Sequence, residues 1–187
     1  MLATIWSTTL VLRAWGVTCL MAFGVLAKGC VAPQHSSAQS PIDGPYVIVL
    51  GTAQDAGSPQ INSPADHPAR LDPSKRRFAS SLGIVDPATG QRWLIEATPD
   101  IREQAWILSR AHPEAGAPIE LDGVFITHAH IGHYTGLVFL GHESMGASRV
   151  PTYVAPKMAE FLESNGPWDL LLRRRNIELR VMDVAEP

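Results

Sequence analysis

Beyond Cys30 the chain has no cysteine, and its only two, Cys19 and Cys30, fall near the N-terminus. The body from about residue 41 onward therefore has no disulfide and no thiolate zinc site, so a metal there must be held by histidine and carboxylate. Long basic runs are missing too. Lys and Arg total 15 against 18 Asp and Glu, a formal net charge of -3 at pH 7. The one basic cluster, Arg173-Arg174-Arg175, follows an apolar helical pattern, as a solvated helix end does. Nucleic acid is not the expected partner of such a chain. No internal repeat or low-complexity segment is visible. With 15 Gly and 15 Pro among 187 residues, the chain is loop-rich rather than a helical bundle, and long enough for one domain with a real core.

Residues 1–40 are of another kind. Arg13 precedes the apolar stretch "AWGVTCLMAFGVLA", then Lys28, Gly29 and Cys30, then the polar run "APQHSSAQS". A positive residue, a short apolar core and small residues beyond it fit a secretory signal peptide. The apolar core is short for a membrane span, which needs ~20 residues. Export, to the periplasm or outside the cell, is the expectation, with cleavage after Ser36-Ser37-Ala38. The apolar stretch before Arg13 leaves membrane attachment by an uncleaved anchor as an alternative. "LAKGC" offers a second exit, a lipoprotein anchored at Cys30, although Lys28 spoils that pattern.

Residues 41–187 alternate between strand-like and helix-like patterns. "YVIVLGT" (46–52) reads as a buried strand, followed by a long Pro/Ser/Asp-rich loop of the kind that is often functional. "FASSLGIVD" (78–86) and "RWLIEAT" (92–98) pair across a Thr-Gly turn. Thr98-Pro99-Asp100 opens a helix capped by Thr98, with Ile101, Ala105 and Leu108 on its apolar face. "DGVFITH" (122–128) and "VPTYVAP" (150–156) are further strands. Between them "YTGLVFLGHESM" has helical spacing with Leu137, Leu140 and Met145 inward. "PKMAEFLESNG" and "WDLLLRRR" are helices, and "IELRVMDV" is a last strand. The class is α/β or α+β.

The chemistry concentrates in "ITHAHIGHYTGL", residues 126–137. Side chains at i and i+2 of an extended segment point the same way, so His128 and His130 can place two imidazoles on one ion. His133, in the first turn of the next helix, can reach it from the side. Three neutral imidazoles suit zinc with an open position for water. His142, two and a half turns further on, reads as a surface residue, and His67 and His112 lie among prolines with no partner spacing.

The segment "LDGVFITHAHIGHYTG" resembles the metal-binding segment of the metallo-β-lactamase superfamily. The opening "VIVLGTAQDAGSPQ" resembles a subgroup that includes the pyrroloquinoline quinone biosynthesis protein B-like hydrolases. The resemblance runs from about Tyr46 to the C-terminus. It implies an αβ/βα sandwich of which this chain holds only the N-terminal half, and a metal-dependent hydrolase acting on a small-molecule substrate. It implies that His128 and His130 bind a first metal and His133 a second. Gly132 stands where the family has an aspartate, so the resemblance here implies one zinc, or a second divalent ion held by another group. Asp55 in "AQDAG" and Asp100 after "LIEAT" are the candidates to compensate and the candidate catalytic residues. A turn aspartate and a helix-start charge are the plain alternatives for them. The long first loop has none of the cysteines that hold a structural zinc in the subgroup.

Further ligands of the family come from a second half, and no histidine follows Arg149 in this sequence. The chain by itself is therefore expected to be a poor hydrolase, with apolar surface on "VIVL" and "LIEA" left exposed. A non-catalytic metal-binding half-domain or interaction protein is the competing reading.

Overall fold

A computed structural model describes residues 43–111 and 120–182; the leader, its exits and His112 lie outside them. Among the described residues six strands form one sheet in chain order: β1 (Tyr46–Gly51), β2 (Ser81–Asp86), β3 (Gln91–Ile95), β4 (Gly123–Phe125), β5 (Val150–Val154) and β6 (Ile177–Val181). β1 to β3 are antiparallel neighbours, and β3 to β6 are parallel. The β2–β3 hairpin closes where the Asp86 carboxylate accepts from Ala88 N at 2.9 Å and the Asp86 carbonyl accepts from Gly90 N at 2.8 Å.

Parallel neighbours need crossovers, and helices supply them. Within the loop after β1 lies a short helix α1 (Pro68–Leu71), and α2 (Ile101–Ser109) joins β3 to β4. α3 (Ile131–Tyr134) runs into a 3-10 turn, Thr135–Leu140, before β5. α4 (Pro156–Ser164) and α5 (Trp168–Arg173) join β5 to β6. The core lies between this helical layer and one face of the sheet. Leu94, Val124 and Val154 meet Leu108, Leu137 and Leu162 there, all at most 1% exposed. This is an α/β arrangement of one mixed sheet with helices packed on one face.

Several sequence expectations change in detail. β1 is an edge strand rather than a buried one: Val47 and Val49 are 58% and 63% exposed, and only Leu50 is buried. "LIEA" is largely covered, with Leu94, Glu96 and Ala97 all buried. Thr98 does not cap α2. The helix begins after Asp100, while the buried Thr98 hydroxyl accepts from Asp100 N and donates to Gln104 Oε1. The apolar face of α2 is as expected, with Gln104 buried beside it. The segment from Thr135 winds as a 3-10 turn, because Leu137 and Leu140 lie three apart and both turn inward at three residues per turn. The long first loop is not structureless. His67 Nδ1 accepts from Ala69 N at the start of α1, and the Arg70 guanidinium donates to the carbonyls of Gln60, Ile61 and Ser63. Arg173–Arg175 are exposed, Arg173 pairing with Asp169.

On the sheet face away from the core, register aligns Val49, Leu82, Ile95, Phe125 and Tyr153 in one row across five strands. Phe125 and Tyr153 stack at 4.4 Å. None of the five is fully buried.

Candidate metal centre

Strands β1, β3 and β4 run the same way, so their C-terminal ends share one edge of the sheet, where α/β folds place ligands. From these ends come Asp55, Glu96 and the histidine segment, respectively. Backbone hydrogen bonds hold the last two together. Glu96 N donates to Phe125 O at 2.9 Å, Ala97 N to His133 O at 2.9 Å, and Gly136 N to Ala97 O at 2.8 Å. A Cβ at position 136 would sit 2.2 Å from Thr98 O, so only glycine lets the turn press this closely on the end of β3.

His128 stands 4.2 Å from His133 and 4.5 Å from His130 by ring centroids, while His130 and His133 are 6.5 Å apart. Glu96, His128 and His133 offer donor atoms all within 4.8 Å of one another, a set able to hold a divalent ion. Glu96 is 6% exposed and has a left-handed φ of 72°, a conformation that costs of order 1–3 kcal/mol in a residue with a side chain. The Thr127 hydroxyl donates to Glu96 Oε1 and lies 2.8 Å from His128 Nδ1. With its proton given to Glu96, that hydroxyl accepts from Nδ1–H, which assigns the His128 tautomer and leaves Nε2 free as a ligand. His133 Nδ1 is buried with no hydrogen-bond partner and lies 3.6 Å from Glu96 Oε2; its Nε2 lies 3.3 Å from Asp55 Oδ1. Imidazoles beside carboxylates, with a buried ring nitrogen facing an acid, fit a zinc-type ion with oriented histidine ligands.

Of the residues singled out from sequence, the fold brings His128 and His133 into the tight donor set; Asp55 touches His133 and His130 lies beside His128, both outside that set. The Asp55 carboxyl is held below the ordinary aspartate range, first by its own backbone N–H and then by His133. The Asp100 carboxylate instead accepts from Ala79 N at 2.8 Å, tying the start of α2 to the segment before β2. His142 is exposed. Glu96 was not singled out. Its signal was an acid sharing the inward parity of Leu94, just past the apolar Trp93-Leu94-Ile95 end of β3.

An α/β sheet with a histidine–carboxylate cluster at its C-terminal edge defines a class of metal-binding fold. The model of the beta-lactamase superfamily domain matches residues 91–187, and the chain belongs to that superfamily of MBL-fold metallo-hydrolases. Coenzyme PQQ synthesis protein B of Ruegeria pomeroyi is 33% identical over 135 residues, covering 68% of this chain and 42% of the relative. The protein of the same name from Methylobacterium radiotolerans is 36% identical over 100 residues, covering 50% and 33%. The crystal structure of zinc-bound PqqB from Methylobacterium extorquens shares the fold with a TM-score of 0.60 at 23% identity, over 75% of this chain and 46% of that one. A diphosphatase of the PhnP family gives 0.53 at 26% identity, over 74% and 50%. The chain thus spans less than half the length of these curated relatives.

Proposed function

We propose that this chain carries the metal-binding part of an exported, zinc-dependent hydrolase. The observation that supports the reading is the Glu96–His128–His133 cluster at the edge where β3 and β4 end. Zinc, when bound, would lower the pKa of a water toward 7 and polarise the bond under attack. The chain's own residues do the rest. His128 and His133 hold the ion, His130 flanks it, and Glu96 with Thr127 fixes the rings. The substrate class is a small molecule with a hydrolysable ester, lactam, thioester or phosphodiester bond.

The test is zinc content by elemental analysis, together with turnover of generic ester, lactam and phosphodiester substrates before and after chelation. Loss of zinc from the H128A/H130A double variant is expected, with only weak chelator-sensitive turnover from the chain by itself. A double variant that kept its zinc would place the metal elsewhere. Export is tested by mass spectrometry of the mature N-terminus, expected near Gln39; an intact N-terminus in the cytoplasm would overturn it.

A second reading, a metal-binding module that docks on a partner chain, draws on the apolar row from Val49 to Tyr153. Zinc binding with no turnover of any substrate favours it.

A further inference from the structure

We propose that Asp55 is the carboxylate ligand of the metal centre, delivered by the loop after β1 because position 132 has no room for a side chain. The inference rests on the metal-centre reading above and says which acid completes it. A Cβ built on Gly132 would lie 2.2 Å from Asp55 O, 2.4 Å from Asp55 Cα and 2.5 Å from Asp55 C. These are backbone atoms, so no side chain fits at 132 unless the loop moves. The same approach that excludes a carboxylate on the histidine turn brings one in from the other side. Asp55 Oδ1 lies 3.3 Å from His133 Nε2. Two donors on one tetrahedral zinc, each about 2.0–2.1 Å from the ion, are separated by about 3.4 Å. The spacing found is thus that of two ligands as well as that of a hydrogen bond.

The two nitrogens of His133 face different acids, which decides between two ligand sets. Nδ1 is buried and looks toward buried Glu96, 3.6 Å away. Nε2 looks toward Asp55, whose side chain is half exposed. A catalytic zinc needs an open position, and the half-exposed Asp55 side is the more open of the two. Glu96, 3.6 Å from Nδ1, then stands behind the ring rather than on the ion, the place a carboxylate takes behind a metal-bound histidine. Asp55 is also firmly placed. Gly57 N donates to Gln54 O at 2.8 Å, Ala53 N to Phe78 O at 2.9 Å and Ser80 N to Ala53 O at 2.8 Å, stitching the loop to the segment before β2.

The experiment compares the full wild-type chain with D55N and D55C, using zinc affinity by chelator competition and the absorption spectrum of the cobalt(II)-loaded protein. D55N should bind zinc at least about tenfold more weakly and show a changed cobalt d–d spectrum. Its thermal unfolding in chelator should match the wild type, because the side chain is exposed. D55C should add a thiolate-to-cobalt charge-transfer band that the wild type, with only Cys19 and Cys30, lacks. Wild-type zinc affinity and an unchanged cobalt spectrum in D55N, in a wild type whose zinc depends on His128 and His133, would overturn this inference alone. A wild type that bound no zinc would overturn the metal-centre reading and this inference with it.

Discussion

His133 Nδ1 and Glu96 Oε2 face each other across 3.6 Å on the buried side of the histidine turn, and the next residue, Ala97, donates its N–H to the His133 carbonyl at 2.9 Å. The end of β3 thus holds the backbone of this histidine by a hydrogen bond and sets a carboxylate beside its ring. Thr127 extends the same control to His128 through its hydroxyl.

Because Glu96 orients the rings from behind, E96Q should weaken zinc binding by about 10- to 100-fold while leaving the shape of the cobalt spectrum unchanged. Chelator competition and absorption spectroscopy separate this from loss of a ligand. Full affinity in E96Q would show that the carboxylate plays no part in placing His133.

Filling the contact between the histidine turn and the first loop should be costly. G132A forces its Cβ into the Asp55 backbone, and overpacking of this kind costs typically about 1–3 kcal/mol. Gly44 has nothing within 4 Å of its would-be Cβ, so G44A serves as the control. Urea unfolding in chelator reads both, and equal midpoints for the two variants would refute the close approach.

Leu137 is fully buried at 0% exposure, whereas Leu71 is 72% exposed. L137A should therefore cost about 2–5 kcal/mol and L71A no more than about 0.5 kcal/mol in the same unfolding assay. Comparable losses would mean that the 3-10 turn does not anchor the histidine segment to the core.

In the metal-free protein the Asp55 carboxyl should titrate below the ordinary aspartate range by NMR. Its folded pKa is lower than its unfolded one, so whatever stability it gives is present above the unfolded value and disappears as pH falls through the folded value. Its own backbone N–H is the first cause and His133 a later one, so H133A should relieve only part of the depression. A midpoint at or above the ordinary range would contradict the geometry.

The local pattern of this sequence determined a good deal. The strand-like runs form strands, and the apolar spacing of Ile101, Ala105 and Leu108 and of Met158 and Leu162 gives the buried faces of α2 and α4. The clustering of His128, His130 and His133 pointed to the site, because ligands close in sequence leave a visible spacing. Tertiary structure decided what no spacing encodes. The edge position of β1 follows from strand order, which exposes Val47 and Val49 despite their apolar character. Glu96 joins the site through a left-handed backbone at a strand end, and its partner His133 lies 37 residues away (133 − 96). Asp55 and Asp100 looked alike in the sequence. Packing separated them, because one carboxylate reaches the histidine turn and the other is taken up by Ala79 N–H. The glycine at 132, which in the sequence looked like a missing ligand, is the contact that lets the first loop reach the histidines. Two backbones can approach that closely only where no Cβ stands between them.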